Sequence, residues 1–182
     1  MRKCFSIIIL MAALAVSLQG RAQTTVYLTP ADALKLIFKD SEEVIKEDHP
    51  LSAEQKTRLA AQLGYEVPKS QYTFYLGKSH GQIDGYALID EQIGKTLPIT
   101  FVTRINPDAK VAAVEVMVYR ESHGGDVASK RFLNQFRQKS ANDELRLHGN
   151  IVNISGATLS SQGLVIGVKR ALALWRFFYG KT

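Results

Sequence analysis

LPITFVTRINPDAKVAAVEVMVYRE, residues Leu97 to Glu121, is the stretch that decides the fold class. It reads as two long β-strands joined at Asn106-Pro107-Asp108. Proline there pre-sets φ, and the flanking Asn and Asp bond their own backbone, which makes a strong turn signal. Val114, Val116 and Val118 recur at every second position and mark one face of the second strand. Upstream, SQYTFYLGK (70–78) alternates Tyr72, Phe74 and Leu76 with polar or smaller residues, a strand pattern. GQIDGYALIDE (81–91) follows behind a hairpin-like glycine. Adjacent strands with short connections argue for an antiparallel sheet.

The flanks read as helices. In TPADALKLIFKDSEEVIKED (29–48), Thr29 is the expected N-cap and Pro30 the first helical residue, with Ala33, Leu36 and Ile37 as an apolar face. His49-Pro50 ends that pattern. LSAEQKTRLAAQLG (51–64) carries a capping box, Ser52 with Gln55, and stops at Gly64. GDVASKRFLNQFRQKS (125–140) reads as a further helix with Phe132 and Phe136 one turn apart, its basic residues forming a solvated face. ELRLHGNIVNI (144–154) is a short connecting segment. The last helix places Val165, Val168, Leu172, Trp175 and Tyr179 at alternating three- and four-residue spacing. The expected class is α+β, a mainly antiparallel sheet with flanking helices.

The first residues, MRKCFSIIILMAALAVSLQGRAQ, have the layout of a secretory signal peptide. Arg2 and Lys3 precede an apolar run from Phe5 to Leu18, and Gly20-Arg21-Ala22 ends in small residues, so cleavage is expected after Ala22. That run falls short of the ~20 residues that comfortably span a bilayer. The expected organisation is a signal peptide over 1–22, an N-terminal helical segment over 23–69, and one further domain over 70–182. An exported product, at the periplasmic or outer face of the membrane, follows from this reading.

The lone cysteine, Cys4, precedes the apolar run. The mature chain then has no thiol, which excludes disulfides, Cys-ligated metals and c-type haem. The formal charge is +6, and loss of Arg2, Lys3 and Arg21 leaves twenty cations against seventeen acids, or +3. No dense basic run remains, which argues against a nucleic-acid partner. The histidines, at 49, 80, 123 and 148, show no metal-ligand spacing.

NISGATLSSQG (153–163) packs hydroxyls and glycines between an apolar segment and the last helix. A strand-to-helix turn explains part of it, with Gly156 permitting the turn and Ser160 or Ser161 as the helix cap. The same geometry suits an anion at a helix N-terminus. Neither nucleotide-loop motif is present. Ser155 as a nucleophile lacks the first glycine of G-x-S-x-G, which makes a hydrolase reading weak.

ISGATLSSQGLVIGVKRAL (154–172) resembles the flavinylation motif of the FMN-binding domain family. That family includes the C subunit of sodium-pumping NADH:quinone oxidoreductase and the G subunit of Rnf electron-transport complexes. YRESHGGDV (119–127) is similar to the family's Glu-Thr-Pro-Gly segment, matching at Glu121 and Gly124, with Ser122 and His123 in place of Thr and Pro. DGYALID, PITFVTRINPDAKVAAVEV and RFLNQF occur in the family's order, and the resemblance covers roughly residues 70–178. It departs at Val152, where the family usually has an acidic residue.

The resemblance implies FMN attached covalently through a phosphoester to Thr158. It also implies cofactor contacts from Ser155, Gly156, Ala157, Ser160, Ser161, Glu121 and Gly124, with no catalytic residue and no metal site of the chain's own. It implies two kinds of partner: a flavin transferase that takes FMN from FAD, and membrane or extracytoplasmic redox proteins. The implied role is electron carriage; the alternative is an exported binding or sensory domain that uses the fold without redox cycling.

Overall fold

The computed structural model describes residues 24–180. The expected signal peptide lies outside the described residues. Six strands form one antiparallel sheet: β1 (Thr25–Val26), β2 (Glu43–Pro50), β3 (Gln71–Ser79), β4 (Gln82–Ile93), β5 (Pro98–Ile105) and β6 (Val111–Tyr119). Their order across the sheet is β1-β6-β5-β4-β3-β2. The four helices are α1 (Pro30–Ile37), α2 (Ala53–Leu63), α3 (Lys130–Leu133) and α4 (Thr158–Tyr179). The architecture is α+β, as the strand pattern predicts.

The turns explain the register. β3 and β4 are joined by His80-Gly81, both at positive φ (52° and 74°), the backbone that matches the twist of a tight hairpin. β5 and β6 are joined around Asn106-Pro107-Asp108, where the Asn106 N–H donates to the Lys110 carbonyl at 2.8 Å. Ala109 takes φ 67° there, an uncommon conformation for a residue with a side chain.

Two expectations are corrected. Residues 43–50, read as a continuation of the first helix, form edge strand β2, paired with β3 over eight positions from Glu43↔Lys78 to Pro50↔Gln71. The segment 23–69 is therefore not purely helical; it supplies β1 and β2 to the sheet as well as α1 and α2. The dense charges of this stretch imitate a solvated helix face. Its burial alternates, however, with Ile45, Glu47 and His49 turned inward and their neighbours exposed, and an open edge on β3 supplies the backbone partners. The second correction concerns 125–140. Instead of one helix it holds a 3₁₀ turn (Gly125–Ala128), the single turn of α3, and another 3₁₀ turn (Asn134–Phe136). Ser129 is extended (ψ 141°) and interrupts the run. Phe132 and Phe136 still pack edge to face, 5.6 Å apart, fully buried.

The main core lies between one face of the sheet and α4, with α2 and α3 at its margins. Tyr72, Phe74, Leu88, Ile99 and Phe101 meet Leu164, Val168 and Leu172 there. Each fully buried side chain of this size is worth about 1.5–3 kcal/mol relative to exposure. α1 covers the other face: Ala33, Ile37 and Phe38 pack on Ala87, Val102 and Met117, the alternate residues of the same strands.

Two devices fix where α4 sits. Glycines let its backbone come close, for a methyl group at Gly167 would lie 2.1 Å from the Phe101 ring, and one at Gly163 would lie 2.7 Å from the Ile93 carbonyl oxygen. Arg170, 1% exposed, then rivets the helix to β4. It donates to Asp90 (2.7 Å), the Gln92 side chain (2.8 Å) and the Glu91 carbonyl (2.8 Å). The second Asp90 oxygen accepts from Lys69 at 2.7 Å. These contacts hold the middle of α4 against the last residues of β4. No helix among the described residues is long and apolar enough to cross a membrane.

Candidate functional site

Three chain segments converge at the N-terminus of α4: the β4–β5 connection (94–97), the turn after β6 (120–124), and residues 153–160. Between them lies an open cleft of about 400 Å³ lined by Lys95, Thr96, Glu121, Ser122, His123 and residues 156–160.

Glu121 ties the first two segments together. Its Oε1 accepts the backbone N–H of Thr96 (2.5 Å) and of Leu97 (2.8 Å). Burial pushes its carboxyl up. The backbone N–H groups of Thr96, Leu97 and Lys95, with the Lys95 charge, outweigh that and hold it below the usual carboxylate range. Tyr119 ties the second and third segments. Its hydroxyl donates to the His123 carbonyl. With that proton committed, the Ser160 hydroxyl, 3.0 Å away, is the donor to the Tyr119 oxygen. Burial pushes the Tyr119 hydroxyl up in pKa, opposed by the Ser160 contact. Gly124 (φ 86°) sits beneath, where a Cβ would lie 2.8 Å from the Tyr119 oxygen and 3.0 Å from the Ala157 Cβ. The turn therefore closes onto the start of α4 only with glycine at this place.

α4 begins at Thr158, with Ala157 as its N-cap and no side-chain cap. This corrects the expectation that Ser160 or Ser161 caps the helix; both lie inside its first turn. Ser160 turns to Tyr119, and Ser161 is fully buried, its hydroxyl without a hydrogen-bond partner among the described residues. The first α-helical bond is Ser161 N–H to the Ala157 carbonyl. The N–H groups of Thr158, Leu159 and Ser160 thus have no acceptor among the described residues and open at the positive end of the helix.

The Thr158 side chain is exposed, and its Oγ1 accepts from Asn153 Nδ2 at 2.8 Å. Asn153 divides the cleft from a larger neighbouring hollow of about 690 Å³ that includes Arg131, Gln135 and Ser155. Gln135 pairs with both the N–H and the carbonyl of Val152 (2.7 and 3.1 Å), fixing the approach to the turn.

Of the residues expected at the site, Thr158, Gly156, Ala157, Ser160 and Glu121 meet in the cleft. Ser155 faces the neighbouring hollow, Gly124 underlies the turn, and Ser161 points into the core. Lys95, Asn153 and the polar role of Tyr119 escaped sequence reasoning. Gly94, which packs against Ser160 and Glu121, was the available signal for the β4–β5 loop.

Residues 94–173 match the FMN-binding domain family. The chain carries an FMN-binding domain. The G subunit of the Na(+)-translocating ferredoxin:NAD(+) oxidoreductase complex of Acetobacterium woodii is 26% identical over 134 residues, which cover 68% of this chain and 65% of that relative. The chain therefore spans less than two thirds of its length. Two solved structures share the fold. NqrC of Shewanella oneidensis aligns with a TM-score of 0.52 at 17% identity, over 78% of this chain and 81% of that one. The C subunit of the Na(+)-translocating NADH-quinone reductase of Parabacteroides distasonis aligns with a TM-score of 0.54 at 13% identity, over 85% and 86%.

The FMN-binding domain's cleft suits the cofactor's chemistry. Three open amides and the Lys95 ammonium suit a phosphate. Gly156 (φ 78°), with no atom within 4 Å of where a Cβ would be, leaves room above the turn. The exposed Thr158 hydroxyl stands among these groups.

Proposed function

We propose that this protein is an exported flavoprotein that holds FMN through a phosphoester on Thr158 and passes electrons between redox partners. The observation that carries this reading is the placement of Thr158. It is an exposed hydroxyl on the first residue of α4, beside three N–H groups without an acceptor among the described residues. The matched family, and the relatives that are subunits of ion-translocating redox complexes, support it.

The attachment chemistry needs help from outside. A bond forms between Thr158 Oγ1 and the FMN phosphorus of FAD, the pyrophosphate P–O bond breaks, AMP leaves, and the hydroxyl proton goes to a base. Thr158 has one hydrogen-bond partner among the described residues, the Asn153 amide, which donates and cannot take a proton. A separate flavin transferase supplies the base, and this chain supplies the oxygen. Once bound, FMN exchanges one or two electrons. The chain's part is to neutralise the phosphodiester at the α4 terminus and to hold the turn through Glu121 and Tyr119. Covalent attachment prevents loss of the cofactor outside the cytoplasm.

In this reading residues 1–22 are removed on export. Residues 23–69 brace the flavin-bearing unit of 70–182, and membrane redox proteins are its partners. Co-expression with a flavin transferase should give a fluorescent band that survives denaturing electrophoresis. A Thr158→Ala chain should give none, and retention of the band by that variant overturns the acceptor assignment.

A further inference from the structure

The β4–β5 connection brings a cation to the cleft that nothing in the motif pattern names. Lys95 lines the same cleft as Thr158 and, among the described residues, forms no salt bridge. The connection is short and exposed, and Glu121 holds it. One carboxylate oxygen takes the N–H groups of Thr96 and Leu97, the two residues that follow Lys95. Gly94, just before it, packs so closely that a Cβ would lie 3.2 Å from Ser160 Oγ and 3.4 Å from Glu121 Oε1. Gly94 is thereby packed against α4 and Glu121, while Thr96 and Leu97 are bonded to Glu121, and the lysine between them has a defined base.

We propose that Lys95 is a phosphate-reading residue of the cleft and that Glu121 is the positioning residue that holds it there. Resting on the reading of this cleft as the FMN site, the proposal gives Glu121 a different task from a flavin contact. One of its two carboxylate oxygens is engaged by the backbone amides of Thr96 and Leu97, which ties the side chain to the loop. Its negative charge faces Lys95 and the α4 terminus, both positive, so the cleft retains affinity for an anion. Arg131 lines the neighbouring hollow together with Asn153 and does not line this cleft.

The test compares FMN with riboflavin, which differ only by the phosphate, on the unloaded chain made without a transferase and read by fluorescence titration. The native chain should bind FMN more tightly than riboflavin. Lys95→Gln, at an exposed position, should narrow that preference roughly three- to tenfold while leaving riboflavin binding in place. Glu121→Ala should narrow it by a similar factor through the freed loop. Glu121→Gln, which keeps an acceptor oxygen for both amides, should restore most of it, and Arg131→Gln should leave it unchanged.

An unchanged preference in Lys95→Gln overturns the proposal, as does a preference lost in Arg131→Gln instead. If Glu121→Ala weakens both ligands equally, Glu121 contacts the ring or supports the whole fold, and its positioning role is refuted. A native chain that binds neither ligand overturns the cleft reading itself, which distinguishes that failure from a failure of the lysine assignment.

Discussion

Asp90 is the residue whose loss tests how α4 is held. Its carboxylate is fully buried and accepts Arg170 Nε on one oxygen and Lys69 Nζ on the other, both at 2.7 Å. Asp90→Asn keeps the shape and removes the charge. The new amide turns its NH₂ toward one of two cationic donors, so one contact becomes donor against donor. Arg170 is then a buried guanidinium without a counter-charge, and breaking a buried pair in this way costs about 3–5 kcal/mol. That is a large share of the roughly 5–15 kcal/mol that typically stabilises a domain.

Arg170→Met should cost at least ~1 kcal/mol less than Asp90→Asn, because Asp90 keeps Lys69 and the methionine stem fills part of the vacated volume. Lys69→Met should cost only about 1 kcal/mol or less, since that ammonium is 43% exposed. The double variant Asp90→Leu with Arg170→Met should be more stable than Asp90→Asn alone. Urea unfolding followed by far-UV circular dichroism measures all four. A cost under ~1 kcal/mol for Asp90→Asn, or a double variant less stable than that single one, refutes the rivet.

Other consequences follow from groups with defined partners. Tyr72 is buried, its hydroxyl has no hydrogen-bond partner among the described residues, and burial, with the nearby Asp90 charge, pushes its pKa up to about 12. The unfolded chain ionises near 10 while the folded one does not, so stability falls as pH rises from there toward 12. Tyr72→Phe should cost little at neutral pH and flatten that alkaline loss in urea titrations. Glu121, held below the usual range, contributes stability at neutral pH that disappears as pH falls below the ordinary carboxylate value. Glu121→Gln should shallow the acid unfolding curve in that window. Ser52 forms a complete capping box with Gln55, and Ser52→Ala should cost about 1 kcal/mol by thermal unfolding.

The parts of the fold that were legible in the sequence are those governed by local rules. Alternation in Tyr72-Phe74-Leu76, the proline turn at 106–108, the Ser52–Gln55 box and Gly64 all act within a few residues, and the structure follows them. β2 was not legible, because a strand at an edge is defined by the partner it meets, and charges at Glu43, Lys46, Glu47 and Asp48 masked its two-residue period. The site divides in the same way. Thr158, Gly156 and Ala157 lie in one short motif and Glu121 in a second, whereas Lys95 and the Tyr119 hydroxyl join them only through the fold, Tyr119 meeting Ser160 from 41 residues away in sequence. Nor did the hydroxyl count of the turn reveal which serine faces what. Ser160 and Ser161 are neighbours, yet one serves the cleft and the other the core, because an α-helix turns by about 100° between them.

The central claim is a covalent bond at one oxygen, and intact mass spectrometry tests it most directly. The protein produced with a flavin transferase and exported should have the mass of the chain from residue 23 onward plus FMN less one water. Peptide mapping should place the addition on Thr158, and Thr158→Ala should show the unmodified mass. An adduct that persists in Thr158→Ala, or a native protein without the addition after exposure to the transferase and FAD, would contradict the account.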